Sequence, residues 1–264
     1  PALGANLIIP DTQSNLSTAG DLLLQSSSFF TTDTRLKGER QTVSLLGSHA
    51  RHSLVLVDGV AQNAAGEDYD FSKVPVEQID YVEIIKGNAS AYGGSAAIGG
   101  IIHIHTKEAL ADWGAELLAE AGSFDYYKQV YKAHFQRAGL AALLEYYHQD
   151  AFNDFYYDTP AFWGMDSPLR RTHNRKQSDG LFSRLTYQQK ALKLDYSLNL
   201  GSFAKELPGT INFLELYDAS RLTGSFTQHN LRASLAGKRW SHELTGWNYF
   251  DYSQYRNLES SSPV

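Results

Sequence analysis

The pattern of apolar and polar residues changes character near Lys107. Before this residue, mostly apolar stretches are short and end in turn residues such as Asp-Gly or Lys-Gly, which is typical of buried strands followed by turns. Ser17 or Thr18 is placed to cap a short helix through Asp21. Residues 1–107 are therefore predicted to form one α+β domain. The apolar stretches are residues 54–57, 82–85 and 101–104.

After Lys107, apolar residues alternate with polar ones. The clearest example is residues 192–200, where leucine or tyrosine occupies every even position and lysine, aspartate, serine or asparagine every odd one. Alternation over about ten residues is typical of transmembrane strands with one face on lipid and the other on a polar interior. Seven such strands are predicted. They cover residues 113–121, 126–137, 140–151, 179–189, 191–203, 224–236 and 240–252.

The connections between these strands alternate in length. Those after the second, fourth and sixth strands are tight, whereas residues 152–178 and 204–223 form long connections. Transmembrane β-barrels have short turns at one end and long loops at the other. The predicted fold is thus an α+β domain followed by antiparallel transmembrane β-barrel strands over residues 108–264.

The number of strands is small for a barrel that encloses a domain. Such a barrel needs about 22 strands of at least about nine residues each, and the residues after Lys107 are too few. An eight-stranded barrel would fit their number, but its own side chains fill its interior. We therefore expect a partial barrel, about seven of about 22 strands, in a chain that is a fragment of a longer protein.

Composition excludes several classes of protein. The 264 residues contain no run of about eighteen apolar residues, which excludes a helical membrane protein. The chain has no cysteine, so disulfides and thiolate chemistry are excluded. A net charge of -6 argues against a nucleic-acid partner, which needs a basic surface. No group of residues suited to catalysis stands out, so no enzymatic activity is expected.

Five sequence blocks follow one another along the first domain. They read VSLLG, LVLVDG, PVEQIDYVEIIKG, NASAYGGSAAIGG and IIHI. In this order and spacing they resemble the plug domain of TonB-dependent receptors, over about residues 5–107. The resemblance implies an energy-coupled transporter in the outer membrane of a Gram-negative bacterium. Its plug would comprise residues 1–107, and the strands after it would begin the surrounding barrel.

The resemblance also implies partners and residue functions. The TonB–ExbB–ExbD energy complex would drive transport through a contact segment that lies upstream of the plug in the family and is missing from this chain. Glu83 and Lys86 are the residues we expect to lock the plug to the barrel. Leu46 stands where the family usually has an arginine before glycine, and His103 where it commonly has asparagine. His103 and His105 share a strand face and are interpreted as polar residues facing the lumen rather than as ligands.

Three polar stretches of the plug supply candidate ligand-binding residues. The first contains two histidines three residues apart, which could coordinate haem iron or another metal; a solvated loop is the alternative. The second resembles an apical substrate loop of the family, or is a plain loop. In the third, a tyrosine stacks on a planar ligand or covers the plug core. The candidates are His49, Arg51, His52, Gln62, Asn63, Asp68 and Tyr92.

The long connection at 152–178 is rich in aspartate and aromatic residues. Carboxylate oxygens suit calcium, and cobalamin receptors of the family order corresponding loops with calcium. A solvated loop is the alternative, because the spacing fits no EF-hand; no other cofactor is expected. Basic residues at 170–176 contact anionic lipopolysaccharide or are simply solvated. The candidate calcium ligands are Asp150, Asp154, Asp158 and Asp179.

These features predict a receptor that binds a scarce nutrient chelate and transports it across the outer membrane without covalent chemistry. Ligand binding would shift the populations of plug conformations, and the energy complex would supply the work. The resemblance favours a cobalamin-like ligand, with an iron–siderophore complex or haem as the alternative within the family. A soluble β-rich binding or adhesion module is the alternative from another class.

Overall fold

The computed structural model describes residues 6–11, 16–31, 40–63, 66–87, 89, 97–108, 112–158, 168–207 and 220–257. These residues divide into two compact units, one that ends at Glu108 and one that begins at Asp112. Within the described residues, no helix is long and apolar enough to cross a membrane.

The first unit is a small mixed sheet with short helical segments. Its main sheet has the order β1-β6-β7-β4-β5, in which β4 and β7 are parallel and the other neighbours antiparallel; β2 and β3 pair separately. The strands are β1 (Asn6–Ile8), β2 (Phe29–Phe30), β3 (Ser44–Leu45), β4 (Ser53–Val57), β5 (Val60–Ala61), β6 (Ile79–Lys86) and β7 (Gly100–Thr106). The helical segments are α1 (Ala19–Leu23) and three 3₁₀ turns at Ala50–His52, Phe71–Lys73 and Val76–Gln78.

The helix begins where the sequence predicts. The hydroxyl of Thr18 accepts a hydrogen bond from the backbone N–H of Asp21 at 3.2 Å, which satisfies one of the donors left open at a helix start. Asp21 lies in the first turn, where its negative charge is favourable. The helix ends at Leu23, and its buried side chains complete the core of the sheet.

The core of this unit lies on one face of the sheet. Successive residues of a strand point to opposite faces, so Val55, Val82, Ile84 and Ile102 pack together with α1 on the core face. The other face carries a smaller apolar cluster of Leu54, Ala89, Ala97 and Ile101. His103 and His105 continue the strand face that bears Ile101.

A tight turn joins β4 to β5 and contacts the end of β7. Asp58 and Gly59 both have positive φ, at 49° and 82°, as a two-residue hairpin between β4 and β5 requires. The Asp58 carboxylate accepts hydrogen bonds from the backbone N–H and the hydroxyl of Thr106, at 2.9 and 2.6 Å. The Asp-Gly pair is therefore the turn that its sequence predicts, and the Asp58 side chain also anchors the end of β7, which was not predicted.

The second unit is a seven-stranded antiparallel sheet. Its order is β16-β15-β14-β13-β10-β9-β8, so each strand pairs with its neighbours along the chain, apart from a separate β11-β12 hairpin. The strands are β8 (Trp113–Gly122), β9 (Tyr126–Arg137), β10 (Leu140–Ala151), β11 (Phe155–Tyr157), β12 (Leu169–Arg171), β13 (Lys176–Gln189), β14 (Leu192–Glu206), β15 (Ser220–Ala236) and β16 (Ser241–Asn257). The seven long strands confirm the predicted fold class.

Several ladders are longer than predicted, and three of them, β13, β14 and β15, extend at the end next to a long connection. β13 begins at Lys176 rather than at 179, and β15 begins at Ser220 rather than at 224. The apolar alternation stops before the backbone hydrogen bonding does, because both faces are polar there. The β11-β12 hairpin within the connection at 152–178 was not predicted.

The two faces of this sheet differ in chemistry. What we call the apolar face carries Tyr131, Leu144 and Leu185, each 47–48% exposed. The polar face carries charged side chains such as Glu145 and Arg184, which are buried. Cross-strand register keeps the alternation in phase from strand to strand, since Leu144 lies opposite Ala133 and Ser183.

Candidate functional site

The first candidate group lies on an exposed 3₁₀ turn. The His49 ring accepts a hydrogen bond from the backbone N–H of Arg51 at the start of the turn. It also contacts the Arg51 guanidinium, with 3.2 Å from Arg51 Nε to His49 Nδ1 and 3.0 Å from Arg51 Nη2 to His49 Nε2. The rings of His49 and His52 are 5.9 Å apart between centroids. The structure thus brings all three predicted residues together at the surface, with both ring nitrogens of His49 already facing Arg51.

The second candidate group is spread over the loop after β5. Asn63 is buried, accepts a hydrogen bond from Val55 N at 2.9 Å, and donates to Ser53 O and Glu67 O at 3.0 and 2.9 Å. These bonds make Asn63 an anchor of the loop. Gln62 bonds to the Val60 carbonyl at 3.0 Å. Ligand binding here stays a prediction, and for Asn63 it would compete with the loop anchor.

Asp68 and Tyr92 complete the predicted plug contacts. Asp68 is half-buried and forms an ion pair with Arg40, at 3.5 Å between Nη2 and Oδ2. Tyr92 lies outside the described residues. The structure therefore leaves the ligand contact of Tyr92 as a prediction.

Glu83 lies in a polar cluster that the sequence did not predict. It is opposite His103 across β6 and β7, and its Oε2 is 3.9 Å from His103 Nδ1 and 3.5 Å from His105 Nε2. Burial raises the pKa of the adjacent Tyr81 hydroxyl, and nearby carboxylates raise it further, Glu83 most. Lys86 ends the same strand and is exposed. Locking of the plug by Glu83 and Lys86 stays a prediction.

The polar face of the long strands carries ion pairs that sequence alone did not reveal. Lys132 Nζ lies 3.2 Å from Glu145 Oε2 on the neighbouring strand. Arg184 reaches Asp195 through two bonds of 3.1 and 2.6 Å. Polar residues at every second position were visible in the sequence, but the partner of each charged residue depends on the register between strands.

Two of the predicted calcium ligands belong to one hydrogen-bond network near the long connection. Asp150 is fully buried and accepts hydrogen bonds from both Nε and Nη2 of Arg175. Asp179 accepts from the hydroxyl of Tyr146 and lies against His148 Nδ1, both at 2.8 Å. The Tyr127 hydroxyl lies 3.3 Å from both His148 and Asp150, and so joins the two carboxylates.

The other two predicted calcium ligands are separate from this network. Asp154 pairs with Arg170 at 3.2 Å, and Asp158 is exposed after β11. Among the described residues, the only group of three His, Cys, Asp or Glu donors close enough for one ion is Glu83, His103 and His105. In the described part of the chain, the four aspartates are therefore not brought together around one point. Calcium binding by them stays a prediction.

The first unit matches a known family by sequence. The family described as TonB-dependent Receptor Plug Domain matches residues 11–101. The vitamin B12 transporter BtuB of Vibrio cholerae serotype O1 is 32% identical over 115 residues. That alignment covers 43% of this chain and 19% of the transporter. The chain thus spans about a fifth of the length of this relative.

Solved structures with the same fold cover almost the whole chain. The ferric-catecholate import receptor Fiu of E. coli K12, in its open form, superposes with a TM-score of 0.71 at 12% identity, over 95% of this chain and 39% of that one. The copper transporter OprC superposes with a TM-score of 0.70 at 16% identity, over 95% of this chain and 38% of that one. At these identities the likeness shows the fold alone.

The sequence match and the shared fold agree. Residues 11–101 match the plug-domain family of TonB-dependent receptors, and the antiparallel strands that follow have the fold found in the solved receptor and transporter structures. The predicted family and fold class are confirmed. The similar proteins are transporters and receptors for different ligands, so the ligand does not follow from the fold.

Proposed function

We propose that the receptor containing this chain is a ligand-gated transporter in the outer membrane of a Gram-negative bacterium. It binds a scarce nutrient chelate from outside and admits it when the TonB–ExbB–ExbD complex acts on the plug. The observation that carries the proposal is the plug sequence over residues 11–101 followed directly by receptor-type strands. Binding and conformational change suffice for this function, and no covalent step is needed.

The strands support a location in lipid. Their apolar face exposes Tyr131, Leu144 and Leu185 at alternate positions of neighbouring strands. Their polar face carries ion pairs, as between Arg184 and Asp195. This combination is typical of barrel strands between lipid and a polar interior, and a water-soluble sheet would leave the apolar face uncovered. Outer-membrane lipid and lipopolysaccharide are therefore the partners of the apolar face.

The favoured ligand is a cobalamin-like compound. The support is the 32% identity to a vitamin B12 transporter, which extends over 115 residues. An iron–siderophore complex or haem is the alternative, because receptors of ferric catecholates share the fold at lower identity. His49, Arg51 and His52, together on their exposed turn, are the first residues we expect such a ligand to contact.

Calorimetric titration of the purified full-length receptor in detergent tests the ligand. Cyanocobalamin, haem and a ferric catecholate are titrated separately into the same preparation. We expect saturable binding of cyanocobalamin. Tight binding of another compound without cyanocobalamin binding would reject the ligand while keeping the transporter class.

A separate measurement tests whether the protein is an outer-membrane transporter or a soluble module. A folded outer-membrane barrel shifts its gel migration on heating and needs detergent to stay dispersed. A receptor that is soluble without detergent and whose migration does not change on heating would favour the soluble binding or adhesion module.

A further inference from the structure

The antiparallel pairing of β6 and β7 places three potential metal donors on one sheet face. Glu83 lies directly opposite His103, and Tyr81 directly opposite His105. Because residues two apart on a strand share a face, both imidazoles lie beside the Glu83 carboxylate. The two histidine rings are 3.8 Å apart between centroids and tilted by 35°. Three donors from adjacent strands thus converge without any contribution from a loop.

The distances suit a small divalent ion of the first transition row. Zinc bonds of about 2.0–2.2 Å in a tetrahedral site place its ligand atoms about 3.4 Å apart. Glu83 Oε2 is 3.5 Å from His105 Nε2 and 3.9 Å from His103 Nδ1, and all three donor atoms lie within 4.8 Å of one another. Side-chain rotations that close the longest separation by about 1.4 Å would complete a three-ligand site.

The surroundings of the cluster also favour a bound cation. The side chains of Glu83, His103 and His105 are only 10%, 19% and 24% exposed. His105 Nε2 is shielded from solvent, and within the described part of the chain no hydrogen bond to it is formed. A buried ring nitrogen of this kind calls for a partner.

A stacked aromatic ring holds His105, the histidine nearest the carboxylate, in place. The Tyr81 ring stacks on His105 with 4.2 Å between centroids and 17° between planes. Residues that orient a metal-binding imidazole typically change metal affinity by about 10–100-fold when removed. Tyr81 therefore has a positioning function that a test can separate from the function of the ligands.

We propose that Glu83, His103 and His105 bind one zinc ion, which joins β6 to β7 within the plug. Two imidazoles and one carboxylate are a recognised donor set for zinc that leaves a fourth position for water or another ligand. This proposal differs from the interpretation of the two histidines as merely polar residues. The zinc site is independent of which chelate the receptor transports.

Zinc titration of the full-length receptor in detergent, after treatment with a chelator, tests the proposal. We expect about one equivalent of zinc to bind by calorimetry and to raise the melting temperature, since a ligand that binds only the folded state stabilises it. His105→Ala, His103→Ala and Glu83→Gln should each weaken binding by at least about tenfold. Tyr81→Leu should weaken it less than the loss of any of the three ligands.

A matched control guards against zinc held by other histidines. His242→Ala removes an exposed imidazole of β16 that packs at a tilt against Trp240 and is remote in sequence from the site. It should leave zinc affinity unchanged. X-ray absorption at the zinc edge should show two imidazole ligands in the parent receptor and one in His105→Gln. This variant keeps a polar side chain, and its folding is checked by gel migration on heating.

Two outcomes would overturn the proposal. The first is a parent receptor that binds no zinc. The second is a zinc affinity that stays at the parent value in both His103→Ala and His105→Ala, or that falls as much in His242→Ala as in those two variants. Neither outcome depends on cobalamin binding.

Discussion

The plug unit and the strand unit place their apolar side chains in opposite ways. In the plug, Ile84, Ile102 and Ile104 are no more than 1% exposed and pack against a helix. In the long strands, Leu144 and Leu185 are each 48% exposed and lie on one continuous face. Both units are built from β-strands, so the difference reflects the surroundings for which each is suited. The plug hides apolar surface from water, whereas the strands present it, as lipid requires.

The two units also differ in where their charged side chains lie. The strand unit buries charged side chains, and Glu145 and Arg184 both meet an opposite charge there. The plug sheet has apolar clusters on both faces, and its acidic residue Glu83 lies beside two histidines where the apolar pattern of β7 is interrupted. In the plug, the residues that interrupt the apolar pattern are therefore those of the proposed zinc site.

The largest effect should come from the plug core. Ile102→Ala removes a side chain that is 0% exposed and leaves a cavity, so the free energy of unfolding of the plug should fall by about 2–5 kcal/mol. Hydrogen exchange of plug amides in the full-length receptor measures it. Leu7→Ala is the control, since Leu7 is exposed on β1. Similar losses in both variants would contradict the assignment of the core.

A charge on the apolar face should have the next largest effect. Leu144→Arg should cost about 2–4 kcal/mol in a bilayer, because position 144 lies near the middle of β10. Leu140→Arg, on the same face at the turn end of the strand, should cost only about 0–1 kcal/mol. Urea unfolding of the receptor in lipid vesicles measures both. Equal costs at the two positions would argue against a membrane-spanning strand.

A substitution in a tight turn should lower the stability by a smaller amount. Gly139 has φ of +84°, and an added Cβ would lie 2.2 Å from the Gln188 carbonyl oxygen. Gly139→Ala should therefore lower stability by at least about 1–2 kcal/mol. In Gly246→Ala the added Cβ has no heavy atom within 4 Å, so that variant serves as the control. The same urea unfolding assay compares the stability of the two variants. A Gly139→Ala variant as stable as the parent would show that the turn relaxes to accept the added Cβ.

The smallest effect should come from a surface ion pair of the plug. Arg40 and Asp68 are 56% and 34% exposed, so water screens their attraction. A double-mutant cycle with Arg40→Ala and Asp68→Ala should give a coupling energy of about 0–1 kcal/mol. The coupling should disappear in about 1 M salt, where screening is strong. A coupling that persists in salt would show a better shielded pair than the structure contains.

The strands were predictable because their pattern is local. Alternation along 192–200 marks a two-faced strand whatever lies beside it, and β14 is found there. The ends of the strands were less predictable, as at Lys176 and Ser220, because backbone pairing continues where side chains no longer alternate. The β11-β12 hairpin was missed because each of its strands has only three residues.

The candidate sites were only partly predictable. The turn at 49–52 is a local feature, so its three predicted residues do lie together. The four aspartates proposed for calcium were grouped by composition, and the structure gives Asp150 and Asp154 different arginine partners. A partner from another strand cannot be read from composition.

By itself, the sequence determined the order of the two units, the long strands of the second, the central strands of the first and the family to which the plug belongs. These follow from side-chain period, turn residues and ordered blocks, all of which act over a few neighbouring residues. Only the tertiary structure decided that Glu83 meets His103 and His105, or that Arg184 meets Asp195. Those contacts depend on strand register, and a shift of one residue would turn each of these side chains to the opposite face.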